Sequence, residues 1–501
     1  MRFLIDTNIL IKLEPEDPAN AEADAALAME INRLIGRGDH SLLVHPTIHH
    51  DIERDPNEGR AERTRFLLQK YYELRDPPGA EDLEGALGNP EVGSNDWVDN
   101  QLIAAVVDEL VDFLITEDYG LLRKLGRVAR RDKGLNIQEA LDVLRSLYDE
   151  PLEPPPAVNA VLMHSLDRTD PIWESFRGDY PGFDEWFNRA RQQERHAWTI
   201  TPDEQLAGVV IVKREEDSPF GLEGRQLKIT TFKVADEFVG RRYGELLLKS
   251  VFRHANQNDY DGLYVTVLDK YEGLTGLLED FGFVALDQST DLGEQVLNKR
   301  LKADDQDLAE LGPLPFHVAF GPPALHPGST DWFVVPIEPG YEEMLFPIPG
   351  QPPAVQPTLP GLSEWARPDA RPRGFGNAIK KAYLSKTSSR LVSGGAVLLF
   401  YRSSDVQAIR AVGIVEDVFV SRDPDAIASF VSARTVYSLA EIAAMADERE
   451  VVSILFRHDR DVPSPISLDE LISDGALLAA PQSITSVRAE GVEWIAARIH
   501  V

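Results

Sequence analysis

Three consecutive prolines divide this chain. Pro154, Pro155 and Pro156, within "DEPLEPPPAVN", fix φ at each position and remove three backbone donors, so neither a helix nor a central strand runs through them. The segments on either side must fold as separate blocks. Before the prolines, short apolar runs alternate with longer segments of helical spacing. "MRFLID", "SLLVHP" and "DFLIT" read as buried strands; "EADAALAMEINRLIGRG", "WVDNQLIAAVVDELV", "YGLLRKLGRVA" and "IQEALDVLRSLY" read as helices. That alternation predicts a Rossmann-like parallel sheet with helices on both faces over residues 1–149.

A second block, residues 157–301, carries the strand-like runs "LAGVVIVKRE", "LKITTFKV" and "GLYVTVL". Residues 302–375 are rich in Pro and Gly and read as an extended linker, although "DWFVVPIEPGYEEMLFP" within them has the aromatic and aliphatic character to pack. Residues 376–501 hold mostly short strands ("AVLLFYR", "RAVGIVEDVFV", "VVSILFR"), which predicts a small β-barrel. At 501 residues several cores are expected, giving a multidomain α/β and α+β protein.

Composition excludes several classes. With no cysteine, the chain has no disulfide, thiolate chemistry or Cys-ligated zinc. No apolar run is long enough to span a bilayer and the N-terminus lacks a signal-peptide pattern, so a cytoplasmic protein without a membrane partner is expected. A net charge of −32 opposes nonspecific adhesion to nucleic acid but leaves room for a locally basic groove.

The first strand ends on Asp6, followed at once by Thr7 and Asn8. One Asp at such a place is a helix cap; several that converge form a metal site. "HPTIHHDIER" supplies Asp51 and Glu53, "GSNDWVDNQLIAA" supplies Asp96 and Asp99, and "LITEDYGLL" supplies Thr116 and Asp118. In a parallel sheet the carboxyl ends of the strands open on one crevice, where Asp6 and Asp118 can meet. This order of acidic motifs resembles the PIN-domain ribonucleases, the family of the VapC toxins. The resemblance implies Asp6, Asp51, Asp99 and Asp118 as catalytic Mg²⁺ or Mn²⁺ ligands, with Asn8 and Thr116 in support. That family generally has Glu at the second motif, so Glu53 competes with Asp51, and Asp96 is a rival or accessory to Asp99. Beside the last motif, Arg123, Lys124, Arg127, Arg130, Arg131 and Lys133 form a basic run suited either to RNA phosphates or to the dipole of a helix end. His45, His49 and His50 have no accompanying zinc ligands and read as structural or substrate-edge histidines.

In the second block, "LKITTFKVADEFVGRRYGELLLKSVFRHA" is a strand, a glycine-bearing turn and an amphipathic helix, an arrangement that can hold a pyrophosphate. With "GLYVTVLDKYEGLTGLLEDFGFV" it resembles the GNAT acetyltransferases, including their closing Gly282–Phe283. The resemblance implies acetyl-CoA along the strand end at Val234, with its pyrophosphate over Gly240, Arg241, Arg242, Tyr243, Gly244 and Glu245. Val239 and Arg242 depart from the family's loop. Leu278 stands where its tyrosine acid would be, leaving Tyr243, Tyr264 and Tyr271 as substitutes.

"GNAIKKAYLSKTSSRLVSGGAVLLFYRS", "RTVYS", "SILFRHD" and "APQSITSV" resemble the PUA-like ASCH modules, which implies RNA recognition. Arg367, Arg371, Arg373, Lys380, Lys381, Lys386 and Arg390 outnumber the local acids and suggest either a phosphate track, with Tyr401 and Arg402 for stacking or backbone contact, or a domain-docking surface facing the acidic remainder of the chain. Taken together, the expectation is a metal-dependent ribonuclease toxin acting on RNA, with a cognate antitoxin as partner and its oligomeric state open, a dimer included. The alternatives are a GNAT N-acetyltransferase on a PIN scaffold, or a non-catalytic RNA-binding regulator.

Overall fold

A computed structural model describes residues 1–13, 30–38, 40–54, 58–128, 130–148, 157–216, 218–329, 331–347, 378–386, 392–437 and 439–499. The chain forms two compact units: residues 1–150 with 424–433 and 438–442, and residues 151–423 with 434–437 and 443–501.

The first unit is built on a five-stranded parallel sheet of order β3-β2-β1-β4-β5. β1 (Arg2–Ile5), β2 (Ser41–Val44) and β4 (Phe113–Ile115) are the three strands legible in the sequence. β3 (Tyr72–Glu73) and β5 (Gly134–Leu135) have two residues each. Phe3, Leu4, Phe113 and Leu114 are all fully buried, because helices cover both faces, and continuous apolar runs result. Four helices matter for the site: α1 (Thr7–Leu13), α2 (Ile48–Arg54), α3 (Asn95–Val107) and α4 (Tyr119–Arg127). Ser94 caps α3 by accepting from Trp97 N, and Asp118 caps α4 by accepting from Gly120 N and Leu121 N. Residues 22–29 of the first predicted helix lie outside the described residues.

The second unit holds two sheets. The seven-stranded sheet has order β11-β12-β10-β9-β8-β7-β6, made of β6 (Val158–Leu162), β7 (His196–Ile200), β8 (Gly208–Glu215), β9 (Gln226–Val234), β10 (Gly262–Val267), β11 (Val284–Ser289) and β12 (Gln295–Arg300). Only β9 and β10 run parallel, with α6 (Tyr243–Gln257) as their crossover; α5 (Phe183–Arg191) precedes them and α7 (Glu272–Asp280) comes after. Its core gathers Trp173, Phe187, Leu247, Phe252 and Phe283.

The second sheet corrects two expectations. Residues 302–375 are not a linker throughout: α8 (Pro313–Phe320), β13 (Trp332–Ile337) and α9 (Pro339–Leu345) lie inside that range, while 348–377 fall outside the described residues. Nor is there a closed barrel. The order is β14-β17-β16-β15-β13-β18, from β14 (Lys380–Ser385), β15 (Val397–Arg402), β16 (Ala408–Ser421), β17 (Val451–Ser467) and β18 (Thr485–Ser486). Register shifts along β16 and β17 curl the sheet until Tyr383 Oη of β14 donates to Pro336 O of β13 at 2.9 Å. Among the described residues no ladder joins the two edges, so the sheet stays open. Among them, too, no helix is long and apolar enough to cross a membrane.

Candidate functional site

Two places gather chemistry, one in each unit. In the first, Asp6 follows β1 and receives Thr7 N at 2.6 Å, Asn8 Nδ2 at 2.7 Å and Thr116 Oγ1 at 2.7 Å. Burial drives its pKa up; the Thr116 and Thr7 bonds pull it back, the charges of Asp51 and Asp99 push again, and it settles at about 6. Asp51 accepts from Thr7 Oγ1 at 2.7 Å, whereas Glu53 is exposed, so Asp51 is the acid that faces Asp6. Lys124 is not a free phosphate contact: its ammonium bridges Asp96 at 2.6 Å and Asp99 at 2.8 Å. Asp99 still lies above the ordinary range, because burial outweighs that cation. Asp118 caps α4, the role a lone acid at a helix start would have.

The four acids therefore converge electrostatically. Among the described residues, however, no three acidic or histidine side chains form a group that could hold a metal ion. The expected Mg²⁺ or Mn²⁺ does not fit this arrangement, with Lys124 supplying positive charge among the acids instead. Lys133 donates to Ser429 O and Oγ, Arg127 is exposed, and Arg131's side chain lies outside the description. His45 is buried and hydrogen-bonded to Thr47, and burial lowers its pKa to about 4; His49 pairs with Glu73 and His50 packs on Trp97. His45 is thus part of the packing, while His49 and His50 lie on the surface.

The second place lies where β9 and β10 part. Their parallel pairing covers only Gln226–Ile229 against Gly262–Val265, while β9 continues to Val234, still paired to β8 on its other side. From Thr230 onward the β10-facing edge of β9 is thus open, ending at the turn before α6. In that turn Gly240 has φ +87° and Arg242 has φ +58°. Arg242 holds the left-handed conformation that a glycine takes without strain, so the turn keeps its shape despite the missing glycine. No side chain caps α6. Gly244 answers a packing need: a Cβ there would stand 2.7 Å from Leu277 Cδ2 of α7. Glu245 is buried and turned toward the amides of Ile379 and Lys380.

Beside this crevice Tyr180 donates to Glu294 at 2.7 Å and Tyr271 to Asp179, while Tyr264 donates to Glu215 toward the other end of β9, where Glu215 pairs with Gln226. Burial first, then the carboxylate, raises all three phenols, Tyr271 to about 12. Tyr243 is buried against Phe238 and Tyr264 is fully buried. Tyr271, at the carboxyl end of β10, remains the partly accessible phenol of the three substitutes. Tyr180, Asp179, Glu215 and Glu294 were not singled out from sequence, since each pairing joins residues far apart in the chain and no local spacing marks it. A separate cleft of ≈ 330 Å³, lined by Arg195, His196, Leu227 and His254, lies at the opposite end of β9 from the turn.

The C-terminal phosphate track is corrected. Lys381 is 1% exposed and donates to Leu345 O; Lys380 pairs with Asp280 and Glu416; Lys386 pairs with Glu448. Tyr401 is buried, and Arg402 is held by Glu342, Glu343 and Asp405. Arg367, Arg371, Arg373 and Arg390 lie outside the described residues.

Known proteins resemble the chain in parts. Residues 160–283 match the family model described as Acetyltransferase (GNAT) family. No curated protein matches the chain. Among solved structures, ASCH from Zymomonas mobilis is similar at 15% identity, over 33% of this chain and 94% of that one, with a TM-score of 0.24. A GNAT-family acetyltransferase from Staphylococcus aureus Mu50 is similar at 15% identity, over 29% and 100%, with a TM-score of 0.24. The PaiA N-acetyltransferase from Thermoplasma acidophilum, solved with coenzyme A, is similar at 14% identity, over 26% and 87%, with a TM-score of 0.21.

Proposed function

We propose that the chain is an acyl-CoA-dependent N-acyltransferase, with residues 157–301 as its catalytic module. The observation that carries this is the parting of β9 and β10 inside the segment whose sequence matches the acetyltransferase family. The open edge of β9 from Thr230 to Val234 offers backbone groups to the amides of a pantetheine arm, as an added strand would. The first-turn amides of α6 and the left-handed turn at Gly240 and Arg242 suit a pyrophosphate. Bound there, acetyl-CoA supplies an acetyl group activated as a thioester. Tyr271 holds a proton beside the crevice; with its pKa near 12 it stays protonated through neutral pH, and Asp179 fixes its orientation.

Calorimetry of the full chain with CoA tests the reading, followed by thiol release from acetyl-CoA over a panel of amines. Micromolar CoA binding and amine-dependent release, lowered at least tenfold by Tyr271→Phe, support it. A wild type that does not bind CoA overturns it.

A second reading concerns the first unit, and the partly buried Asp6 beside Asp51 and Asp99 favours it: RNA phosphodiester cleavage, as a toxin restrained by an antitoxin. The metal misfit at the acidic cluster stands against it. Total RNA incubated with purified protein, with and without added Mg²⁺ or Mn²⁺, and growth on expression are the tests. Equal behaviour of wild type and Asp6→Asn removes this reading.

A further inference from the structure

Glu245 is the third residue of α6, counted from Tyr243. A Glu at that position ordinarily reaches back to the backbone N–H at the start of its own helix, as in a capping box. Here it does not. Its Oε1 accepts from Ile379 N at 2.5 Å and from Lys380 N at 2.8 Å, and the residue is 6% exposed. The two donors belong to the chain entering β14, the edge strand of the second sheet.

That entry is firmly held. The side chain of Ile379 is 1% exposed and packs in the core of the acetyltransferase module. Lys380 Nζ reaches both Asp280 carboxylate oxygens at the end of α7, at 2.6 and 2.5 Å. Arg457 of β17 donates to Asp280 O at 2.9 Å and to Glu416 Oε1 at 2.7 Å. Lys381 Nζ donates to Leu345 O at 2.6 Å. Ile379 and Lys380 thus tie α6 and α7 to the second sheet, and Lys381 ties the same strand to α9.

The charge of Glu245 suits the helix start and the nearby cations Lys249, Lys381 and Arg457, but it is the wrong sign beside an anionic ligand. If the start of α6 is to receive a pyrophosphate, a carboxylate free to fold back would compete for the same amides and repel the ligand. We infer that Glu245 is a positioning residue held off the cofactor turn by the backbone amides of Ile379 and Lys380, so that the second sheet keeps the anion site open. This rests on the acyl-CoA reading. It makes the C-terminal sheet a working part of the cofactor site, and it predicts that loosening β14 closes the site.

The test is the affinity of the full chain for CoA, by calorimetry, in Glu245→Asp, Glu245→Gln and Glu245→Ala, each checked for a cooperative thermal transition. Asp is one methylene short of the two amides but keeps the charge in the first turn. Gln and Ala have no charge with which to compete. The expected order has Glu245→Asp weakest, at least tenfold below both Glu245→Ala and Glu245→Gln. A merely structural role reverses it, since Ala removes more packing than Asp; Glu245→Ala weakest, or all three equal, overturns the inference. If Glu245→Asp does not fold, Ile379→Pro deletes one donor and leaves Glu245 intact. It should weaken CoA binding at least tenfold, with recovery on adding Glu245→Ala; no recovery overturns the inference. A wild type that binds no CoA overturns the acyltransferase reading and this inference together, whereas tight wild-type binding with the wrong variant order overturns this inference alone.

Discussion

Replacing Asp6 by Asn should stabilise the first unit at neutral pH, although it disturbs three hydrogen bonds. A displacement of the Asp6 carboxyl from 3.8 to about 6 corresponds to ~3 kcal/mol of unfavourable free energy for the charged form above pH 6. Against that stands the cost of the amide. Thr7 N, Asn8 Nδ2 and Thr116 Oγ1 all point donors at the two oxygens. Asn keeps one oxygen, but Thr116 Oγ1 already accepts from Asp118 N at 3.0 Å and would give up the bond it donates, so with the Asn8 bond the loss is about two hydrogen bonds, ~2 kcal/mol. The charge term wins, and the net gain is roughly 1 kcal/mol at pH 7.5. The pH dependence carries a definite sign. Because the folded pKa lies above the unfolded one, the wild type gains stability as pH falls through about 6 toward 3.8 and loses it as pH rises. Asp6→Asn should lack that dependence and fall below the wild type near pH 4. Hydrogen exchange of β1 and β4 peptides in the full chain, from pH 5 to 8 and corrected for intrinsic rates, reads this locally. Lower protection of Asp6→Asn at pH 7.5 would refute the reasoning. A carboxylate kept at such a cost is the mark of a site maintained for something other than stability.

Three further outcomes concern the second unit. Gly282→Ala should destabilise by more than ~3 kcal/mol, because its Cβ would fall 1.9 Å from Val318 O at a φ of +81°; a thermal midpoint within a few degrees of wild type contradicts this. Glu416→Gln should cost ~3–5 kcal/mol, since it leaves Arg457, Lys380 and Arg434 short of a buried partner. Burial pushes Glu416 up, but Arg457, Lys380 and Arg434 hold it at about 2. Its contribution is therefore complete above about pH 4.5 and lost as pH falls toward 2, and an acid titration of unfolding in which wild type and variant lose stability in parallel would refute it. Arg242→Gly should raise stability by about 1 kcal/mol by relieving the left-handed residue at φ +58°, measured by urea titration; a loss of stability would show that the Arg242 side chain matters more than its backbone.

How much of this could be seen beforehand depended on whether the deciding force was local. β1 and β4 were legible because a strand buried on both faces must be apolar throughout, and "RFLI" and "FLI" are. β3 and β5 were not, since two residues carry no period. The turn before α6 was legible as a glycine-bearing loop, but the reason for Gly244 was not, because Leu277 lies in another helix. The linker reading failed on proline. Pro313 and Pro339 begin helices, where a missing N–H costs nothing, and Pro336 lies in β13 beyond the two residues at which β18 pairs. Proline marks where a hydrogen bond is not needed, and that includes places inside the fold.

The charge reading failed for a related reason. Lys380, Lys381 and Arg402 stood out as an excess of cations in a chain of net charge −32, and an excess on a surface would suggest phosphate. But in so acidic a chain a buried carboxylate is readily kept ionised by a cation brought to it, and cations are the scarcer partner. Asp280, Glu416, Glu342 and Asp405 draw in Lys380 and Arg402, while Lys381 turns to the backbone carbonyl of Leu345. A cluster of Lys and Arg in such a protein therefore marks internal acids at least as readily as external anions, and sequence order alone does not distinguish the two. The spacing does carry one usable hint: Lys380 and Lys381 are adjacent, so on a strand they point to opposite faces, and one continuous phosphate track on a single face could not have used both.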